Sequence, residues 1–444
     1  MPMTRPIKTV FFLLVIIGVG FLPSSPFQEQ VVGKSPDYKE LRLFRQVMRI
    51  VQKNYVKEVS DKELIEGAIN GMLQSLDAHS SFLTEDSFKE LQVETKGEFG
   101  GLGIEITLEN GILTIVSPIE DTPAYKAGLK PGDKIIKIDG ETTKSISLLN
   151  AVKKMRGPKG TTVTLTIMRE GFRKFKDFTV TRDIIHVRSI KKEALEKGYP
   201  YVRVVNFQES TEQDLAEAIK ELGGEEEIKG LVLDLRNNPG GLLDQAVKVT
   251  NLFIDKGLIV YTDGRVKDQR MEFRATRTGT HYKFKMAVLI NEGSASASEI
   301  VAGAVQDYDR ALLFGSKSFG KGSVQTIIPL EDGSGLRLTT AYYYTPKGRH
   351  IQKTGIEPDV DLKKELEKQA DTEAKEEAKQ DKEKNEKSKF VRPKVDPEKD
   401  VVLKAALQWL KSDQTVEAYK LEHQKPVPDT AWQMDNNRKR QSKK

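Results

Sequence analysis

The 444-residue sequence has no cysteine. That excludes disulfides, a thiol nucleophile and a thiolate metal site, and leaves the compartment to be read from other signals. Histidine is scarce: His79, His186, His281, His350 and His423 are all there are, and none sits in a recognisable catalytic-triad motif. HExxH and paired carboxylate–histidine spacings are missing too, so no metal and no cofactor is expected. A surplus of one charge is also lacking. Seventy-one Lys and Arg against 65 Asp and Glu leave +6, with both signs mixed along the chain, which gives no basis for nucleic-acid binding. The sequence has no internal repeat, and its longest apolar run is short for a membrane span.

That run is VFFLLVIIGVGFL, residues 10–22, preceded by Arg5 and Lys8 and followed by Pro23, Ser24 and Ser25. A basic start, a short apolar segment and a polar exit predict a secretory signal peptide within residues 1–36. No good small-x-small cleavage site lies near Ser25, so an uncleaved anchor in the inner membrane stays open as the alternative. Either way the chain is expected to be exported, to a periplasmic or otherwise extracytoplasmic location. The 38% apolar and 31% charged content suits a multidomain protein behind that segment.

Two stretches carry the chemistry. MAVLINEGSASASEIVAGAV, residues 286–305, reads as a buried strand, a turn with three serines spaced by alanine, and a small-residue helix. A hydroxyl at a strand-to-helix corner sits beside free N–H groups and the positive end of a helix dipole, which suits a nucleophile. The same pattern also fits a plain helix N-cap. SFGKGSVQTIIPL, residues 318–330, then presents Lys321 between two glycines at the start of a strand-like run, and on a strand Lys321, Ser323 and Gln325 share one face by alternation. A lysine beside a serine, with an amide to hold it, has the composition of a base and its orienter.

GSASASEI around Ser296, FGKG around Lys321, Gln325 four residues on, DLRNNPGG at 234–241 and GIEPD at 355–359 together resemble the carboxy-terminal processing peptidases. These are secreted serine proteases of family S41 with a Ser-Lys dyad and a PDZ domain, and the resemblance runs from about residue 37 to 360. It implies Ser296 as nucleophile, Lys321 as general base and Gln325 as the residue positioning the lysine. It also implies an oxyanion hole from the backbone N–H groups of Gly240 and Ala297.

The expected architecture is α/β and multidomain. A helical arm spans 37–95, with apolar residues at spacings of three and four; the resemblance makes it a homodimerising element. Within it SLDAHSSFL, 75–83, is similar to a family signature, although Ala78 stands where a proline is expected, and His79 is not taken as catalytic. An inserted, mainly-β PDZ domain spans 96–180. Its Gly101-Leu102-Gly103-Ile104 loop offers backbone donors to a terminal carboxylate and a strand edge to the residues before it, so the implied partners are proteins or peptides with free C-termini. Arg156 is placed either to read that peptide or to lock the domain to the core. The core, 181–362, is crotonase-like, with continuous apolar strands covered on both faces. Residues 363–444 form a charged linker, a short amphipathic helix at 401–411 and a basic tail.

Three other readings fit parts of the sequence. A Ser-His-Asp triad lacks a histidine motif, and Asp307, eleven residues after Ser296 on one helix, would lie about 16 Å along its axis, so it reads as structural or as an ion-pair partner. A crotonase-type acyl-CoA enzyme fits the core but not the export segment and the peptide-binding module. A non-catalytic PDZ-type peptide-binding protein is the third.

Overall fold

A computed structural model describes residues 38–369, apart from 110, 120, 170, 278 and 280, and residues 395–423. The apolar segment at 10–22, most of the charged linker and the basic tail lie outside the described residues. Among the described residues, no helix is long and apolar enough to cross a membrane.

The chain forms two compact units divided after Gly71. The first holds the helix Tyr38–Asn54 and the start of the helix Asp61–Gln74. The second helix begins on a reciprocal cap: Glu63 N–H donates to Ser60 Oγ at 3.2 Å, and Ser60 N–H to the Glu63 carboxylate at 2.9 Å. Leu41, Phe44, Val47 and Ile50 of the first helix are all exposed.

In the second unit the α/β core is built on a six-stranded sheet. Its order is Ile190–Glu196, Tyr199–Val204, Gly230–Asp234, Lys285–Ile290, Leu312–Gly315 and Val360–Asp361, antiparallel in the first pair and parallel thereafter. The apolar runs GLVLD and MAVLI are continuous because both faces are covered. Leu231, Leu233, Met286 and Val288 face the helices Thr211–Glu221, Leu243–Asn251 and Ala297–Asp307. Val232, Ala287 and Leu289 face the helix Val401–Lys411, which docks back on the sheet through Leu403, Leu407 and Leu410. A second, antiparallel sheet carries Gly335–Tyr344 between Ser323–Pro329 on one side and Leu258–Gly264 on another. Ser81–Leu83, within the stretch read as the helical arm, is an added strand of this sheet, paired with residues 335–337.

The PDZ-type insertion is a sheet ordered Ile104–Glu109, Ile112–Pro118, Lys134–Ile138, Thr162–Met168 and Lys176–Thr181 around its own core of Leu113, Ile115, Leu165 and Ile167. Its chain enters and leaves through a two-stranded ladder, Glu98–Gly101 against Asp183–His186. Gly100 lies too close to the Gly157 carbonyl to carry a side chain, since a Cβ there would sit 2.1 Å from that oxygen. Buried Arg182 fastens the exit by donating to the carbonyls of Lys154 and Met155, the last residues of the helix Leu148–Met155, where the dipole favours a cation.

Candidate active site

Ser296 lies where the strand Lys285–Ile290 has turned and the helix Ala297–Asp307 begins, with φ +57° and ψ −114°. A serine rarely adopts that backbone, and the surroundings hold it there. Ser294 Oγ donates to Leu235 O at 2.8 Å, Ala295 N–H to Asn238 O at 3.0 Å and Ser298 Oγ to the same oxygen at 3.0 Å. The corner is thus stapled to the DLRNNPGG turn of the neighbouring strand.

Glu299, one turn into the helix and fully buried, is the centre of the site. Its Oε2 accepts the Ser296 N–H at 2.8 Å and the Lys321 N–H at 2.9 Å. Its Oε1 accepts Ser318 Oγ at 2.5 Å and the Gly320 N–H at 2.7 Å. One carboxylate therefore joins the Ser296 corner to the loop bearing Lys321. Burial pushes the Glu299 carboxyl above its ordinary pKa, while these four donors pull it back. Sequence reasoning gave Glu299 no role, yet the signal was present. Ser-x-x-Glu at a helix start is the capping-box spacing, and its acid returns to the cap residue's N–H.

Lys321 is not on the strand, which begins at Ser323; it sits in the preceding loop. That loop packs against residues 351–355 so closely that a Cβ on Gly322 would come within 2.3 Å of Gln352 N, and one on Gly320 within 3.1 Å of Gly355 N. Ser318 Oγ also receives the Ile356 N–H at 2.7 Å, which is how GIEPD holds the lysine loop in place. Burial pushes the Lys321 ammonium below the usual lysine range, the charge of Arg337 pushes it further, and Glu299 opposes both. Gln325 lies on the strand, but its Nε2 donates to Ser323 Oγ at 3.0 Å and Thr339 Oγ1 at 3.1 Å and not to the lysine.

The two expected oxyanion donors differ. Ala297 N–H, at the first turn of its helix, has no acceptor among the described residues. Gly240 N–H is already engaged, donating to Asn238 Oδ1 at 2.9 Å, which departs from the sequence expectation. The reason is burial: Asn238 is fully enclosed, its Nδ2 is spent on Val204 O, and its oxygen needs a donor. Gly240 nonetheless abuts the corner. A Cβ there would stand 2.8 Å from Ser296 Cβ and 2.9 Å from Ala297 N, so only glycine leaves that space open.

No described histidine joins this cluster. His281 Nδ1 meets Asn251 O at 2.7 Å, and His350 lies against Tyr342 and Tyr344. Asp307 is paired with Arg349 at 2.5 Å and accepts the Lys347 N–H, as expected of a structural residue.

In the PDZ-type domain Leu102 is buried, and Gly103 takes φ +76° against the Thr122 side chain. The carbonyls of both are taken by Ala124 and Ile119 N–H groups, while their own N–H groups have no acceptor among the described residues. Gly101 ends the entry strand, and Ile104 opens the strand Ile104–Glu109. That strand is at the sheet edge, beside the helix Leu148–Met155, so it has an edge for an added chain. Arg156 caps that helix. Its guanidinium lies 4.8 Å from the Phe99 ring centroid and 3.9 Å from Glu90, which ties the domain to the helix Glu85–Lys96.

Residues 198–362 match the model for peptidase family S41, residues 90–168 that for the PDZ domain, and residues 22–87 that for the activating protease CtpB N-terminal domain. The chain is 49% identical to a carboxy-terminal-processing protease of Bartonella bacilliformis, over 81% of this chain and 83% of that one. It is 39% identical to a probable CtpA-like serine protease of Staphylococcus epidermidis, over 80% and 74%. Among solved structures it is similar to a photosystem II D1 C-terminal processing protease, at 31% identity and a TM-score of 0.43 over 73% of this chain and 93% of that one.

Proposed function

The chain belongs to peptidase family S41 as a carboxy-terminal processing protease with a PDZ domain, and on that premise we propose that Ser296 and Lys321 are its catalytic dyad. Ser296 attacks the scissile carbonyl while neutral Lys321 takes its proton; the lysine returns that proton to the amine as the C–N bond breaks, leaving an acyl-enzyme that water, deprotonated by the same lysine, hydrolyses to the free acid. The observation that carries this reading is the shared Oε2 of Glu299, which holds the backbone of nucleophile and base from one atom. Ala297 N–H is the first oxyanion donor, and Gly240 N–H joins it when the Asn238 carboxamide yields it. Gln325 supports the base through its strand. Covalent labelling of Ser296 by a serine-reactive phosphonate, located by peptide mapping, is the direct test; an unlabelled Ser296 in active enzyme would sink the assignment.

The depressed Lys321 pKa sets a pH dependence. Below that pKa the lysine is protonated and cannot accept the serine proton, so kcat/KM should rise with pH along one limb lying below the ordinary lysine value of about 10.4. Arg337→Gln removes a neighbouring positive charge and should move the limb to higher pH. A limb that stays put in R337Q, or one that disappears on changing His281 or His350, would point to another base.

Substrates are selected by their tails. The free N–H groups of Leu102 and Gly103 suit a terminal carboxylate, and the edge strand from Ile104 suits the residues before it. Gly101 and Arg156 flank that site. Charge-assisted hydrogen bonds contribute roughly 1.5–3 kcal/mol each, so capping a peptide's C-terminus as an amide should lower kcat/KM by about ten- to a hundredfold. Equal turnover of acid and amide forms well below saturation would remove tail selection and leave the dyad untouched. The enzyme acts outside the cytoplasm, periplasmic if diderm, delivered by residues 10–22 as a cleaved signal or as a membrane anchor. The exposed apolar face of Tyr38–Asn54 meets a second copy in a homodimer.

A further inference from the structure

We propose that Asp400, the N-cap of the helix Val401–Lys411, is a positioning residue for the active site, acting through Arg236. The helix follows the charged linker and reads at first as a cover for the sheet. Its N-cap residue does more. Asp400 Oδ1 caps the helix by accepting the Val402 and Leu403 N–H groups at 3.1 and 3.0 Å, and the same carboxylate takes Arg236 in a two-pronged pair, Nη1 to Oδ1 at 3.0 Å and Nη2 to Oδ2 at 2.7 Å. Such a fork fixes direction as well as distance.

Arg236 is mostly buried and stands between two acids. On its other side Nε and Nη2 reach the fully buried Asp234 at 2.8–3.1 Å. Asp234 also accepts the Arg236 N–H and the Tyr201 hydroxyl, at 2.8 and 2.7 Å. Burial alone would penalise this guanidinium, and the two carboxylates overcome that penalty. The next residues are the turn that shapes the site: Asn237 N–H bonds Asn291 Oδ1 at 2.8 Å, Asn238 O holds Ala295 and Ser298, and Gly240 faces Ser296 Cβ. Asp234 is a strand residue of the sheet, so without Asp400 the guanidinium keeps one of its two carboxylate partners, and the Arg236 carbonyl keeps the Arg203 Nη2 donor at 3.1 Å, but the link to the helix Val401–Lys411 is lost. The Arg236 backbone, which begins the turn, then gains freedom. Displacements near 1 Å at a catalytic centre cost roughly a hundredfold in rate.

The apolar face of the helix would dock it without this pair, and that separates positioning from mere cover. Asp400→Ser keeps a capping oxygen but is too short for Arg236. With Trp432 replaced by Phe, Trp409 is the sole tryptophan, and its emission reports docking. In that background D400S should leave the emission unchanged, lower kcat on a fluorogenic peptide with a free apolar C-terminus by roughly ten- to a hundredfold with KM nearly constant, and slow phosphonate labelling of Ser296 in parallel. Asp400→Glu should restore most of the rate. Leu407→Ala, which loosens the apolar packing without touching the pair, should lower Tm and spare kcat. Wild-type kcat in a docked D400S, or an equal loss of kcat in a docked L407A, overturns the proposal. Should D400S undock the helix, Asp400→Asn decides, because it keeps both cap and shape and loses only the charge; wild-type kcat there overturns it as well. The proposal rests on Ser296 being the nucleophile, and Ser296→Ala tests that separately.

Discussion

Ser296→Ala is expected to lower kcat/KM for peptide hydrolysis by on the order of 10⁴-fold or more, Lys321→Ala by a similar factor, and the double variant by no more than either alone. The reason is that a hydroxyl without its base and a base without its hydroxyl are equally inert, so the losses do not add. Both side chains lie on a scaffold held by backbone groups: the Ser296 and Lys321 contacts to Glu299 run through N–H and survive truncation. The variants should therefore fold and melt close to wild type, and PDZ-type peptide binding should persist. Lys321→Arg should be as dead as alanine, since guanidinium does not deprotonate near neutral pH. Steady-state rates with calorimetric Tm values check all of this. A Lys321→Ala variant that retains most of its activity would transfer the role of base to another residue.

How much of this was legible in the sequence differs by kind of signal. Continuous apolar strands announced the two-sided sheet, because in GLVLD and MAVLI alternate residues belong to different cores. Spaced serines before a small-residue helix announced the corner at Ser296, and the glycines about Lys321 announced a close approach, which the 351–355 segment makes. Long-range pairing was not legible. Nothing local says that the Ser81–Leu83 strand joins residues 335–337, that Asp400 reaches Arg236, or that the Gly240 N–H is spent on Asn238. Those bonds arise where burial forces a polar group to find whichever partner the fold brings near. Strand alternation also misplaced Lys321, because the ladder with Gly335–Tyr344 starts two residues later. Gln325 then found hydroxyl partners on that ladder and not the lysine.

Glu299→Ala is expected to be nearly as damaging as loss of the nucleophile, and for a different reason. Removing the carboxylate strips acceptors from four donors at once: the Ser296, Gly320 and Lys321 N–H groups and the Ser318 hydroxyl. Each buried donor left unpaired costs about 1–3 kcal/mol, partly relieved if water enters the vacated space. A total loss of roughly 3–5 kcal/mol is expected, and at about 2–4 °C per kcal/mol for a domain of this size Tm should fall by on the order of 10 °C. Glu299→Gln separates stability from alignment. Its single carbonyl oxygen can serve only one pair of donors. The less costly orientation turns the new NH₂ toward Ser318, whose hydroxyl can rotate to accept, and Gly320 N–H then faces a donor. The Ser296 and Lys321 N–H groups keep one neutral oxygen between them, held less firmly. Glu299→Gln should therefore stay folded with a smaller fall in Tm, lose about a hundredfold in kcat, and shift the acid limb to lower pH, since the negative charge that favours protonated Lys321 is gone. Full activity in Glu299→Gln with an unmoved limb would show that the bridge between Ser296 and Lys321 is packing alone.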